Sequence, residues 1–231
     1  MAQFSRELLT FYSYRTCPFC HRAAIALKEA KVPYEKVEIN LKQRPEWYKR
    51  DINPSNKVPA FRLPESGRNG GEIIVESLIA AEYVADLKPE SKLMPVDALE
   101  RAKVRFFIES SSRIVTQFNQ VLKGKPENRR AEWEKGVDVL RELNMLMEKQ
   151  SSAGPYFLGK DFSMADLVLI PMLDRLELIG SFFDFKLDSS DPTISRVIEW
   201  SKACRSRESY KETVATREEM VEHYEPLISK E

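Results

Sequence analysis

The chain reads as an α/β unit on a mixed four-stranded sheet followed by an all-α unit, and three observations carry that reading. Residues 8–87 alternate short apolar runs with helical stretches, residues 88–97 contain two prolines and break every periodicity, and beyond them apolar residues recur only at three- and four-residue intervals. With 231 residues and 42% hydrophobic content there is apolar surface for two cores.

The elements follow in order. Leu8-Leu9-Thr10-Phe11-Tyr12 forms a strand over 8–13, and a helix after Cys17 carries Ala23, Ala24, Leu27 and Ala30 at helical spacing, with Cys20 extending that stripe backwards and inward. Residues 34–39 alternate with period two and make the next strand, and a short helix surrounds Glu46-Trp47-Tyr48. This first half is a β-α-β unit, whose strands run parallel. Strands at 58–63 and 72–75 then flank a turn at 66–71, and a helix spans 76–87. Past the proline linker, helices are expected over 98–122, 128–150, 163–178 and 192–206, with a weaker, polar one over 208–223. The domains are therefore residues 1–88 and 98–231, joined by a linker at 89–97. Ser163-Met164-Ala165-Asp166, flanked by Phe162 and Leu167, matches a capping box with a hydrophobic staple, and its role is in folding.

Composition excludes several classes of function. Lys plus Arg and Asp plus Glu both number 36, so no bulk charge calls for nucleic acid. The longest apolar runs, such as Leu167-Val168-Leu169-Ile170, fall far short of the roughly 20 residues that cross a bilayer. Three cysteines are too few and odd in number for a secreted disulfide framework, and no cationic-then-apolar leader opens the chain, so a reducing compartment is expected. A zinc site needs about four ligands; beyond Cys17 and Cys20 the chain offers only Cys204, His21 and His223, in no second paired spacing, so no metal is expected.

Cys17-Pro18-Phe19-Cys20 stands at the corner between the first strand and the first helix. Cys17 takes the N-cap position and Pro18 the first helical one, where the missing amide proton costs nothing. First-turn amides, the positive end of the helix dipole and the cations Arg15 and Arg22 favour a thiolate, which makes Cys17 the expected nucleophile. Cys20 is either a small buried residue or a resolving thiol.

Taken together, the thiol at the first helix, the Val58-Pro59 strand start, the Glu76-Ser77 pair opening the next helix, the proline linker and the helical second unit resemble a cytosolic glutathione transferase across nearly the whole chain. Cys17-Pro18-Phe19, the stretch Asn40-Leu41-Lys42-Gln43-Arg44-Pro45-Glu46-Trp47 and Lys57-Val58-Pro59 resemble the cysteine-type, omega-like branch, with Cys20-His21-Arg22 as in its fungal members. The resemblance implies a thioredoxin-like first domain, a cytoplasmic homodimer and glutathione as co-substrate without a metal. It also implies a cis peptide before Pro59, Val58 backbone pairing with the cysteinyl part of glutathione, and Phe19 within the binding site. Glu76 and Ser77 are implied to hold the γ-glutamyl end, and Lys57 and Arg44 the glycyl carboxylate. Omega-like enzymes usually carry another residue where this chain has Cys20.

The function this implies is glutathione-dependent thiol transfer, or deglutathionylation, through a mixed disulfide between Cys17 and glutathione. A second glutathione or Cys20 would resolve it. Conjugation ranks lower, because a cysteine at that position consumes the tripeptide as a disulfide. The alternatives on the same fold are a ligandin-type carrier of aromatic metabolites and a chloride-channel-like relative. For a second, hydrophobic substrate, residues 98–122 are read as one helix. Val104, Ile108, Ser111, Val115, Phe118 and Leu122 form its core stripe; Phe106 and Arg113 lie off it, two turns apart on one face, and suit an aromatic ligand with an anionic substituent.

Overall fold

The computed structural model describes residues 7–66, 69–151 and 153–228, and the chain divides into two compact units, Met1–Leu93 and Met94–Glu231. The first contains β1 (Leu9–Ser13), α1 (Pro18–Glu29), β2 (Tyr34–Glu38), α2 (Glu46–Asp51), β3 (Ala60–Arg62), β4 (Ile73–Val75) and α3 (Ser77–Leu87). Strand order is β2-β1-β3-β4; β1 runs parallel to β2 and antiparallel to β3, and β4 antiparallel to β3. This is the mixed sheet expected from the β-α-β unit and the hairpin, although Gly67 and Arg68 of the expected turn lie outside the described residues.

The inner strand β1 is buried along its whole length, and its two-residue period sends Phe11 and Tyr12 to opposite faces. Phe11 meets Tyr34 and Phe61 edge to face, with ring centroids 5.7 and 5.4 Å away. Tyr12 meets Tyr48 of α2 at 5.5 Å. Helix α3 packs on α1, β3 and β4.

Register decides which loops meet. Tyr12, Ala60 and Val75 lie side by side across β1, β3 and β4. The chain leaves β1 just past this row towards Cys17, enters β3 at it directly after Val58-Pro59, and leaves β4 at it directly before Glu76. Three loops therefore share one end of the sheet, within two strand spacings of about 4.8 Å each.

The second unit contains α4 (Ala98–Ser111), α5 (Arg113–Lys123), α6 (Arg129–Gln150), α7 (Met164–Ser181), α8 (Ser195–Ser206), α9 (Glu208–Thr213) and α10 (Arg217–Tyr224). Helix α7 is buried on nearly every side, as an apolar helix at the centre of a bundle must be, and α4, α5 and α8 pack on it. Its Gly180 admits the Trp133 ring of α6: a Cβ there would stand 2.3 Å from Cζ3. The expected capping box is present, with Ser163 and Asp166 exchanging hydrogen bonds. Asp166 also accepts from the Phe157 amide at 2.9 Å and from Trp200 Nε1 at 2.7 Å, so one carboxylate fixes both the start of α7 and its contact with α8.

Two helical expectations need correction. Residues 98–122 are not one helix but α4 and α5, broken at Ser112. Ser110 Oγ donates to the Phe106 carbonyl at 2.9 Å and Ser111 Oγ to the Ile108 carbonyl at 2.7 Å. Such serine back-bonding competes with the helical ladder and bends it; here the Ser112 and Val115 amides fall back on i→i−3 partners. The phase slips by one residue, so Ile114 is buried in place of Val115, which is only half-buried. Residues 208–223 likewise split into α9 and α10, the latter opened by a second capping box between Thr216 and Glu219.

Candidate active site

Cys17 is the N-cap of α1, with extended backbone (φ −69°, ψ 122°) and Pro18 in the first turn. Its side chain is half-buried and makes no capping hydrogen bond, so the helix start acts on the sulfur through its field. One turn on, Cys20 is 2% exposed and its Sγ accepts from the Tyr14 amide at 3.4 Å. Burial first, then the hydrogen bond to Cys17 and the charge of Cys17, push the Cys20 thiol well above its ordinary range. The pair is thus asymmetric, a half-buried thiol beside a buried protonated one.

Arg22 faces the same corner. It is buried, stacks on the half-buried Phe19 ring with its guanidinium carbon 5.3 Å from the centroid, and feels the charge of Cys17. Burial pulls the guanidinium down to about 10, which leaves it cationic at neutral pH. A buried cation near a half-buried thiol favours the thiolate. Of Arg15, the structure shows the backbone amide donating to Glu38.

The second loop carries Val58 and Pro59, and the peptide between them is cis, as expected. Both residues are buried, while Lys57 is exposed. The Lys57 carbonyl is held twice, by the Tyr48 hydroxyl at 2.7 Å and by Asn53 Nδ2 at 2.8 Å. Among the described residues the Val58 amide and carbonyl take no backbone partner, which leaves them open to an added strand. Arg44 is exposed, on a loop ordered by Asn40, whose Oδ1 accepts from the Lys42 and Gln43 amides at 2.9 and 3.2 Å.

The third loop carries Glu76 and Ser77. Glu76 is the N-cap of α3 at φ 69°, a left-handed backbone that a non-glycine residue adopts at a cost of about 1–3 kcal/mol. Its side chain is exposed, while Ser77, the first helical residue, is buried. The amides opening α3 suit a carboxylate, and the Glu76 carboxylate suits an ammonium.

The sheet thus gathers Cys17, Val58, Pro59, Glu76 and Ser77 at one end. Phe106 and Arg113 are not gathered in the way expected. Each lies on its own helix either side of the break at Ser112, and Arg113 forms an ion pair with Glu142. Phe106 is exposed, while its neighbour Phe107 is in the core. Sequence reasoning missed Tyr48 and Asn53 as supports of the Val58 loop. The Asn53-Pro54-Ser55 turn was the available signal, and the Asn53 side chain closes it by accepting from the Ser55 amide at 3.0 Å.

No cluster of His, Cys, Asp and Glu able to hold a metal occurs among the described residues, and no described helix is long and apolar enough to cross a membrane.

Comparison with known proteins gives this geometry a family. Residues 11–92 match the family model "Glutathione S-transferase, N-terminal domain", and residues 102–212 match "Glutathione S-transferase, C-terminal domain". Human glutathione S-transferase omega-2 is 31% identical over 175 residues, covering 75% of this chain and 69% of its own. The rice protein named probable glutathione S-transferase DHAR1, cytosolic, is 31% identical over 216 residues, covering 92% and 91%. The crystal structure of glutathione transferase Omega 1C from Trametes versicolor superposes with a TM-score of 0.81 at 28% identity, covering 97% of this chain and all of that one. Two adjacent domain models and relatives aligned over most of their length make the chain a member of the glutathione S-transferase family, with omega-class and DHAR proteins among its relatives.

Proposed function

We propose that this glutathione transferase works as a thiol transferase with Cys17 as its nucleophile. The Cys17 thiolate attacks the glutathionyl sulfur of a mixed disulfide, forming a Cys17–glutathione disulfide and expelling the acceptor's thiolate, which takes up a proton. A second glutathione thiolate then attacks the glutathionyl sulfur, releasing glutathione disulfide and regenerating the Cys17 thiolate. The observation that carries this reading is the asymmetric pair at the start of α1, a half-buried N-cap thiol beside a buried thiol that donates to it. A Cys20 held protonated is a slow nucleophile, so resolution falls to the second glutathione. All three cysteines are free, which suits a reducing, cytoplasmic setting.

In this reading, glutathione lies along the sheet end as an added strand on the Val58 backbone, with Phe19 beside its thiol. Glu76 takes the ammonium, Ser77 and the α3 amides the α-carboxylate, and Lys57 and Arg44 the glycyl carboxylate. The strained backbone of Glu76 supports a ligand-facing role. A homodimer is what the resemblance implies, and α3 exposes Leu78, Ile79 and Leu87. Cys17→Ser tests the central step: reduction of a glutathione mixed disulfide is abolished while the variant still binds glutathione. Full turnover by Cys17→Ser would refute it.

A further inference from the structure

The stretch from Asn40 to Lys57 carries a positive charge that the rest of the chain cancels. It contains five cations, Lys42, Arg44, Lys49, Arg50 and Lys57, against two carboxylates, Glu46 and Asp51, a net of +3 in a chain whose formal net charge is zero. All seven side chains are exposed. Arg50 is engaged by its neighbour, donating from Nε and Nη2 to the two oxygens of Asp51 at 2.6 and 2.7 Å. Among the described residues, Lys42, Arg44, Lys49 and Lys57 have no carboxylate partner.

These cations stand on a held backbone beside the thiol corner. The Asn40 side chain ties down the amides of Lys42 and Gln43. Trp47 and Tyr48 anchor α2 on Tyr12 of β1, with ring centroids 6.1 and 5.5 Å away. Burial first, then the charges of Cys20 and Tyr12, raises the Tyr48 hydroxyl, and the charge of Arg44 opposes them. One buried phenol thus lies within electrostatic reach of both the cysteine pair and the cationic loop. In the proposed glutathione site, Arg44 and Lys57 share the single glycyl carboxylate. Lys42 and Lys49 are left over, and the acceptor half of the mixed disulfide is the partner that remains to meet them.

We propose that Lys42 and Lys49 select the acceptor, and that it is a glutathionylated polypeptide with aspartate or glutamate flanking the modified cysteine. The proposal rests on the thiol-transferase reading above. Lys42 stands on a loop and Lys49 on α2, so a chain bearing several carboxylates engages both where a compact anion meets one. Exposed cations of this kind act on encounter, raising kcat/KM more than kcat and fading with salt.

The test uses the full chain and three synthetic peptides that share one glutathionylated cysteine and differ only in flanking aspartate, serine or lysine. At low salt, kcat/KM for the aspartate peptide is expected to exceed that for the serine peptide about fivefold or more, with the lysine peptide below both. The gap closes at about 1 M salt, where charges are screened beyond about 3 Å. Lys42→Glu with Lys49→Glu removes or inverts the order and leaves unchanged the reduction of the neutral mixed disulfide of glutathione and 2-mercaptoethanol. Equal turnover of the three peptides, an unchanged order in the double variant, or the same preference for the small anionic mixed disulfide of glutathione and mercaptosuccinate would overturn the proposal. The peptide and salt arms use the parent chain alone, so they can overturn it even where the substitutions disturb folding. Failure of the neutral disulfide to react would instead refute the thiol-transferase reading itself, so the two failures are distinguishable.

Discussion

The Tyr48 hydroxyl donates to the backbone carbonyl of Lys57 at 2.7 Å, so a side chain buried under the sheet sets the backbone that enters Val58. Asn53 Nδ2 holds the same oxygen from α2's other end at 2.8 Å. Tyr48→Phe removes one of the two donors and little volume. It is expected to lower stability by about 1 kcal/mol, read from the urea midpoint, and to weaken glutathione binding severalfold by calorimetry. Parental values for both would show that the loop is held by other means.

Cys20→Ser is expected to keep most of the thiol-transfer rate. A buried thiol that stays protonated contributes little to resolving the mixed disulfide when glutathione is in excess. Near-complete loss of turnover, with the Cys17 adduct accumulating, would mean that the dithiol route dominates.

Stability should fall on the alkaline side. Burial pushes the thiols of both Cys20 and Cys204 well above their ordinary range. A group raised in the folded state contributes fully below its unfolded pKa of about 8.5 and loses that contribution as pH rises towards the folded value. Each thiol then costs about 1.4 kcal/mol per pH unit above that point. Denaturant titrations from pH 7 to 10 should show the decline, and Cys204→Ala should flatten it. An unchanged slope in that variant would remove Cys204 as a cause.

Asp166→Ala should cost more than about 3 kcal/mol, since it leaves the Phe157 and Ser163 amides, the Ser163 hydroxyl and the Trp200 indole without their acceptor inside the core. A denaturation midpoint within error of the parent would contradict the role of this carboxylate as the anchor between α7 and α8.

The sequence made much of this legible, and its failures have physical causes. Cys17 at the N-cap, Pro18 in the first turn, the inward Cys20 and the Ser163–Asp166 box are local signals, and the structure bears each of them out. The break at Ser112 was written in Ser110-Ser111-Ser112, but its strength depends on hydroxyls finding the Phe106 and Ile108 carbonyls, which helical periodicity does not register. Once that break is present, Arg113 opens a new helix and pairs with Glu142, 29 residues away, so a single face shared with Phe106 never forms. The Tyr48 and Asn53 contacts to Lys57 were hidden for a different reason: a bond to a backbone carbonyl leaves no mark on the residue that accepts it.

The central claim is that Cys17 is the sulfur that glutathione enters and leaves. Its most direct test is incubation of the full chain with oxidised glutathione across pH, followed by intact-mass analysis and peptide mapping. One glutathione adduct is expected, on Cys17, with half-maximal formation rate at a pH below the free-thiol value of about 8.5, and reduced glutathione should remove it. An adduct confined to Cys20 or Cys204, or one on Cys17 that forms only as an unperturbed thiol ionises, would contradict the account.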